Sequence, residues 1–347
     1  MKTVFITGAT GYIGGDVLSQ LAARYPELTY RVLVRSADKG EQIKAQYPSV
    51  EIIYGSLDDT RILESESSNA DIIIHTADAA DHVGAAHAIL SGIIKGHTAE
   101  RPAYWLHTSG AGIFSYIDTD NGTYGIRRDK VYNDLDGIND IVTIPDHAFH
   151  RNVDKIVLDA GEQYSRILKA AIISPTTVYG RGRGPCSQRS KQVYELAKWT
   201  LQRKKAPIIG KGETCGCDIH ILDLTVLYEL LFDAALSGRD GLWGGEAYYL
   251  AEAEEHCWGD LAKSMARIAA EKGYIPAAEV ESLEPNVAMA WAGFDAVSWG
   301  MNVRCRAHRA RKLLGWAPAQ LGLEEELPNI VDAEWRNLQV TEGDKST

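Results

Sequence analysis

The chain has 347 residues, 45% of them hydrophobic and 24% charged, a soluble globular mix that suits one large domain with a smaller dependent lobe. No apolar run approaches the ~18 residues of a membrane span, which argues against a membrane protein. The 36 basic residues against 47 acidic ones leave a net charge of −11, which argues against general binding to nucleic acid or to an anionic membrane.

The chain opens Met1-Lys2-Thr3-Val4-Phe5, without the basic leader and removable apolar stretch of a secretory signal. Residues 4–7 read as a first strand, and Thr7-Gly8-Ala9-Thr10-Gly11-Tyr12-Ile13-Gly14 follows it into a helix over 12–24, where Val17, Leu18 and Leu21 recur at helical spacing. In the pattern Gly-x-x-Gly-x-x-Gly, the first glycine allows a tight turn. The second lets backbone approach a pyrophosphate, and the third lets helix and strand pack closely. The helix N-terminus adds unpaired N–H groups and the positive dipole end. Gly8, Thr10, Gly11, Tyr12, Ile13 and Gly14 are therefore candidate dinucleotide-binding residues.

A second strand, 30–34, ends at Arg35. A carboxylate there would accept hydrogen bonds from both ribose hydroxyls of NAD. Arginine instead offers a planar cationic fork to a 2′-phosphate, and Lys39 lies one short turn further on. The preferred cofactor is NADP(H), with NAD(H) second. Strands over 51–54, 72–75 and 103–108 follow, and 169–173 reads as a sixth after a helix over 152–163. Alternating strands and helices imply an α/β fold, a Rossmann-type doubly wound parallel sheet over residues 1–180. Residues 181–340 read mainly as a smaller substrate-binding lobe, with some segments returning to the first domain. Glycine-rich turns separate its helices and most of the tryptophans lie there. The five cysteines form no CxxC pair, so no metal site is expected and a cytoplasmic protein is. The tail from Thr341 is polar and is expected to fray.

These motifs resemble the extended or atypical short-chain dehydrogenase/reductases, the NAD-dependent epimerase/dehydratase and NmrA-like group, over residues 1 to about 325. The glycine loop, Gly55-Ser56-Leu57-Asp58-Asp59, the run from Ser174 to Gly180, Ile219-His220-Ile221-Leu222-Asp223-Leu224 and Lys312-Leu313-Leu314-Gly315-Trp316 carry the resemblance in the group's order. It implies that Leu57 and Ala77 lie near adenine and its ribose, and that Pro175, Thr177 and Val178 back the nicotinamide. It also implies a Ser/Thr and a Tyr-x-x-x-Lys pair, and a homodimer through the helices flanking the fourth and fifth strands is common in the group.

The chain departs from that chemistry. The lysine aligns with Lys155, and four residues earlier stands Arg151 where tyrosine is expected. After the fifth strand Gly110 takes the hydroxyl's place, with Ser109 one position early. Arginine does not exchange protons at neutral pH, but it can stabilise an anion. Arg151 and Lys155 share a helix face at i, i+4, which is expected to meet an anionic group of cofactor or substrate. Lys155, Arg151 and Ser109 are the candidate catalytic set. His150, His147, Tyr116, Tyr124, Tyr179 and His220 are weaker candidates for the missing proton donor.

Three readings stay open: an atypical NADP(H)-dependent oxidoreductase, an NmrA-like NADP(H)-binding regulator, and a non-redox isomerase, cyclase or lyase on the same fold. The second lobe, complete with His220–Leu224 and Asn302-Val303-Arg304-Cys305-Arg306, favours an enzyme acting on a small molecule. Resemblance to tyrosine-lacking chains of fungal secondary metabolism implies an aromatic or polyketide-like substrate.

Overall fold

The computed structural model describes residues 2–343, so the tail expected to fray lies, from residue 344, outside the described residues. Seven parallel strands build the main sheet: β1 (Thr3–Thr7), β2 (Thr29–Val34), β3 (Glu51–Tyr54), β4 (Ile72–His75), β5 (Ala103–Thr108), β6 (Leu168–Pro175) and β7 (Tyr248–Ala251). Their spatial order is β7-β6-β5-β4-β1-β2-β3. Their registers run in parallel throughout, with Ile6 opposite both Val32 and Ile74. The central strands are buried along their length, which is why they read as continuous apolar runs rather than alternating ones.

Helices cover the sheet: α1 (Tyr12–Arg24), α2 (Ala37–Gln46), α3 (Thr60–Asn69), α4 (Val83–Gly96) and α5 (Arg151–Gln163). α4 packs against both α3 and α5, while α1 packs with the helix Ile221–Ser237. The chain reverses direction across the sheet between β1 and β4. Right-handed crossovers therefore leave a crevice beyond the ends of these two strands.

The lobe has its own three-stranded sheet, in the order Glu254–Cys257, Cys215–His220, Thr177–Tyr179. Only Thr176 separates β6 from the last of these, so the chain passes directly from one sheet to the other. The helices Gln192–Arg203, Trp258–Glu271 and Leu323–Gly343 pack together as a second hydrophobic cluster around Leu196, Leu261, Met265 and Leu327. The first cluster takes in the main sheet and also reclaims Ile219, Leu224, Tyr228 and Trp316. Cys215 and Cys257 are cross-strand neighbours with their thiols 3.0 Å apart, and all five cysteines are free. No helix among the described residues is long and apolar enough to cross a membrane, and no cluster that could hold a metal ion occurs among them.

Candidate active site

A cleft of about 640 Å³ opens where the ends of β1, β4, β5 and β6 face the lobe. Its floor is the glycine loop. Gly8 sits at φ +82°, and a Cβ there would stand 2.4 Å from Thr76 Oγ1. A Cβ on Gly14 would meet the same oxygen at 2.2 Å and the Gly8 carbonyl at 2.4 Å, so the helix can approach the strand only without a side chain. Gly11 caps α1 without any side-chain hydrogen bond, which leaves the first N–H groups of a 13-residue helix directed at the cleft. Tyr12 and Ile13 line the same floor, and the Tyr12 hydroxyl donates to the Gly180 carbonyl at 2.6 Å. Pro175, Thr177 and Val178 form the adjoining wall. This crowded glycine cradle at an open helix end fits a dinucleotide pyrophosphate.

Other residues expected at the cofactor stand outside the cleft lining. Thr10 and Leu57 are half-buried, and the Ala77 N–H points to Thr7 Oγ1 at 3.3 Å. Arg35 and Lys39 are exposed, at the end of β2 and on α2. The loop carrying Cys186 crosses to this rim, its thiol 3.7 Å from the Lys39 carbonyl.

Opposite the glycine loop the cleft meets His150, the residue before α5. It adopts φ +66°, a left-handed conformation that costs a non-glycine residue about 1 kcal/mol or more. Its Nδ1 lies 2.8 Å from Asp81 Oδ1. That hydrogen bond, against the opposing effect of burial, holds the Asp81 carboxyl below its ordinary range. His150 Nε2 looks over Gly110, where an added Cβ would stand 3.1 Å away. Ser109 points the other way, into the core, and its hydroxyl donates to Asp154 Oδ2 at 2.9 Å. Tyr248 donates to the same oxygen at 2.9 Å. Burial raises Asp154 to about 6, against the opposing effect of the Ser109 bond.

The structure does not bring Arg151, Lys155 and Ser109 to the cleft, which corrects the expected geometry. Arg151 is buried on the far side of α5. One guanidinium N–H donates to the Val142 carbonyl at 2.5 Å, and the side chain lines a separate groove with Leu158 and Glu162. Lys155 is half-exposed and pairs with Asp146 at 2.9 Å. The positions of α5 turned toward β5 are 150 and 154, one residue before the expected pair. One residue is 100° of helix rotation. The signal for this was present as His150-x-x-x-Asp154 beside Gly110, the same spacing shifted by one.

Of the weaker candidates His150 reaches the cleft, and the others are spent elsewhere. His147 pairs with Asp120 in solvent, and His220 accepts the Leu222 N–H as the cap of its helix. Tyr179 donates to the Leu321 carbonyl. Tyr116 and Tyr124 pack against the two hydrophobic clusters. Arg304 and Arg306 both bind Glu255, at 2.9 and 3.1 Å.

The lobe supplies the cleft's far wall with Trp258, Phe294, Met301 and Val303. Phe294 meets Phe149, the neighbour of His150, ring to ring at 4.9 Å. Arg189 also lines the cleft, but Glu334 and Glu195 hold its guanidinium at 2.7–3.0 Å.

A family model, that of the NAD-dependent epimerase/dehydratase family, matches residues 4–235. The chain belongs to this family. Among proteins similar over nearly their full length, it is 34% identical over 347 residues to oxidase ucsJ of an Acremonium species, spanning 97% of this chain and 99% of that protein. It is 28% identical over 337 residues to the uncharacterized Saccharomyces cerevisiae protein YLL056C, spanning 93% and 97%. Among solved structures, dTDP-glucose 4,6-dehydratase from Bacillus anthracis, in complex with NAD, has a TM-score of 0.67 at 13% identity and 97% coverage of both chains. UDP-glucose 4-epimerase from Thermotoga maritima, with UDP-glucose, has 0.64 at 16% identity and coverages of 97% and 99%. At such identities these epimerase/dehydratase structures share the fold, and the redox chemistry of the oxidase is that relative's own.

Proposed function

We propose that this protein is an NADP(H)-dependent oxidoreductase acting on a small, apolar, aromatic or polyketide-like carbonyl or alcohol. The observation that carries the reading is the single cleft running from the glycine cradle, past His150, to an aromatic wall on the lobe. The N–H groups opening α1 and the bare backbone of Gly8, Gly11 and Gly14 would hold the pyrophosphate, and Pro175 to Val178 the nicotinamide end. Arg35 and Lys39 would take the 2′-phosphate. The cofactor would supply a hydride equivalent there.

The far wall supports the substrate class. Trp258, Phe294, Met301 and Val303 offer apolar surface. Of the two lining lysine and arginine side chains, Arg189 is already bound by two carboxylates, and Lys191 has the carboxyl group of Asp295 close by. A sugar diphosphate would find little charge to meet it there. Similarity along the whole length to an oxidase supports redox chemistry on this fold. A cytoplasmic setting accords with five free cysteines.

Calorimetric titration with NADPH and NADH, on the native protein and on Arg35→Ala, tests the reading. We expect NADPH to bind more tightly, and Arg35→Ala to weaken it about tenfold or more while sparing NADH. Absence of binding by either dinucleotide removes the oxidoreductase assignment.

A further inference from the structure

Resting on the oxidoreductase reading, we propose that His150 is the catalytic acid and base of this cleft and that Asp81 is its positioning residue. His150 is one of three non-glycine residues with positive φ among the described residues, and another, Asp78, begins the turn that carries Asp81. Both turns bend toward the same crevice, and there the Asp81 carboxylate meets Nδ1 of the imidazole. His150 makes no capping bond to its own helix, so this contact is what orients the ring.

A carboxylate facing Nδ1 keeps a proton on that nitrogen. The neutral ring then presents Nε2 as a base, and the charged ring presents it as an acid. Nε2 has no protein hydrogen-bond partner among the described residues and faces Gly110. The absence of a side chain at 110 leaves room beside Nε2 for a substrate oxygen.

In reduction, the carbonyl π bond breaks and carbon gains the hydride supplied by the dinucleotide, which is thereby oxidised by two electrons. Oxygen gains the Nε2 proton, leaving an alcohol and a neutral imidazole that water reprotonates. In oxidation the same transfers reverse.

Several charged and titratable groups face His150. Asp81 and Asp78 come from the turn after β4, His107 from β5, and Asp154 from α5, whose Arg151 lies on the far side. Asp295 and Lys191 lie across the cleft. Of these Asp81 alone hydrogen-bonds the ring. Asp154 is committed to Ser109 and Tyr248, and Arg151 to Val142.

The first test uses the whole protein without cofactor. Nitrogen NMR of its histidines, with the His150 signals assigned by their loss in His150→Asn, reads the tautomer directly. We expect Nδ1–H in the neutral ring, signals that move on adding NADP+, and an Asp81→Asn variant that mixes the tautomers. An Nε2–H tautomer, or signals indifferent to both Asp81→Asn and NADP+, would overturn the proposal.

The second test follows NADPH oxidation by benzil, an aromatic diketone. Asparagine tolerates the left-handed conformation, so His150→Asn should keep its dinucleotide affinity and lose 10²- to 10⁴-fold in kcat. It should also lose the limb over which the native rate falls as pH rises. In Asp81→Asn that limb should survive while kcat falls and KM is little changed. Native turnover that persists in His150→Asn, with its pH limb intact, overturns the assignment of His150 alone. A native protein that binds no dinucleotide overturns the oxidoreductase reading instead. If benzil is not reduced, the aromatic carbonyl class falls and the tautomer measurement decides on the dyad.

Discussion

At the scale of single residues, the pair at positions 150 and 154 of the chain divides the labour of one helix face. His150 looks into the cleft, while Asp154 is buried beneath it with Ser109 and Tyr248 as donors. Burial raises Asp154 from 3.8 to about 6. The folded state therefore holds a proton there that the unfolded chain releases from about pH 4 upward. The stability tied to this group is complete below that point and is lost as pH rises through about 6, by roughly 3 kcal/mol. Asp154→Asn removes the titration. The stability of the native protein relative to the variant should fall by that amount between about pH 4 and pH 7, as read from urea unfolding. A difference constant with pH would remove the explanation. Residue roles on this face were the least legible part of the sequence. The strand following α5 fixes where the helix ends, but its rotation depends on the left-handed entry at His150, which no propensity announces. Position 151 does not reach the cleft, and position 150, which does, holds His150.

At the scale of elements, the glycine loop assigns different work to glycines three residues apart. Gly14→Ala places a methyl group 2.2 Å from Thr76 Oγ1 and against the Gly8 backbone. It should cost about 2 kcal/mol or more in stability, since neither neighbour can withdraw without moving the strand. In Gly11→Ala the nearest atom is 3.2 Å away. This variant should unfold within about 1 kcal/mol of the native protein yet bind NADPH about tenfold or more weakly, because its methyl projects where the pyrophosphate belongs. Thermal melts and calorimetry on the two variants separate these effects, and equal losses of stability would contradict the division. The first six strands and α1 were legible because buried parallel strands carry unbroken apolar runs and β-branched residues, and even the exposed edge strand β3 keeps its Ile52-Ile53 pair. Strands 51–54, 72–75 and 103–108 agree to the residue. β7 was missed. Tyr248–Ala251 is four residues long, and the chain traverses much of the lobe before returning to pair it with β6. Only that long-range pairing makes it a strand of this sheet.

At the scale of the whole molecule, the C-terminal segment is bound back onto the first hydrophobic cluster through Asp223. Its carboxylate accepts the Ala319 and Gln320 N–H groups at 3.0 and 3.1 Å, and its carbonyl accepts Trp316 Nε1 at 2.9 Å. Asp223→Ala should lose roughly 2–4 kcal/mol, and Asp223→Asn should recover part of it because one amide oxygen remains to accept. Urea midpoints that do not distinguish the two would show that packing of Trp316 alone fastens the segment. The glycine loop and the Trp258 wall belong to different hydrophobic clusters, so the cleft is also the seam between them. A molecule lodged there touches both bodies and adds its binding energy to neither alone. Heated empty, the protein should absorb heat in two overlapping transitions. Filled with dinucleotide and substrate it should melt as one cooperative unit, so the ligands would act as the mortar of the fold as well as its cargo.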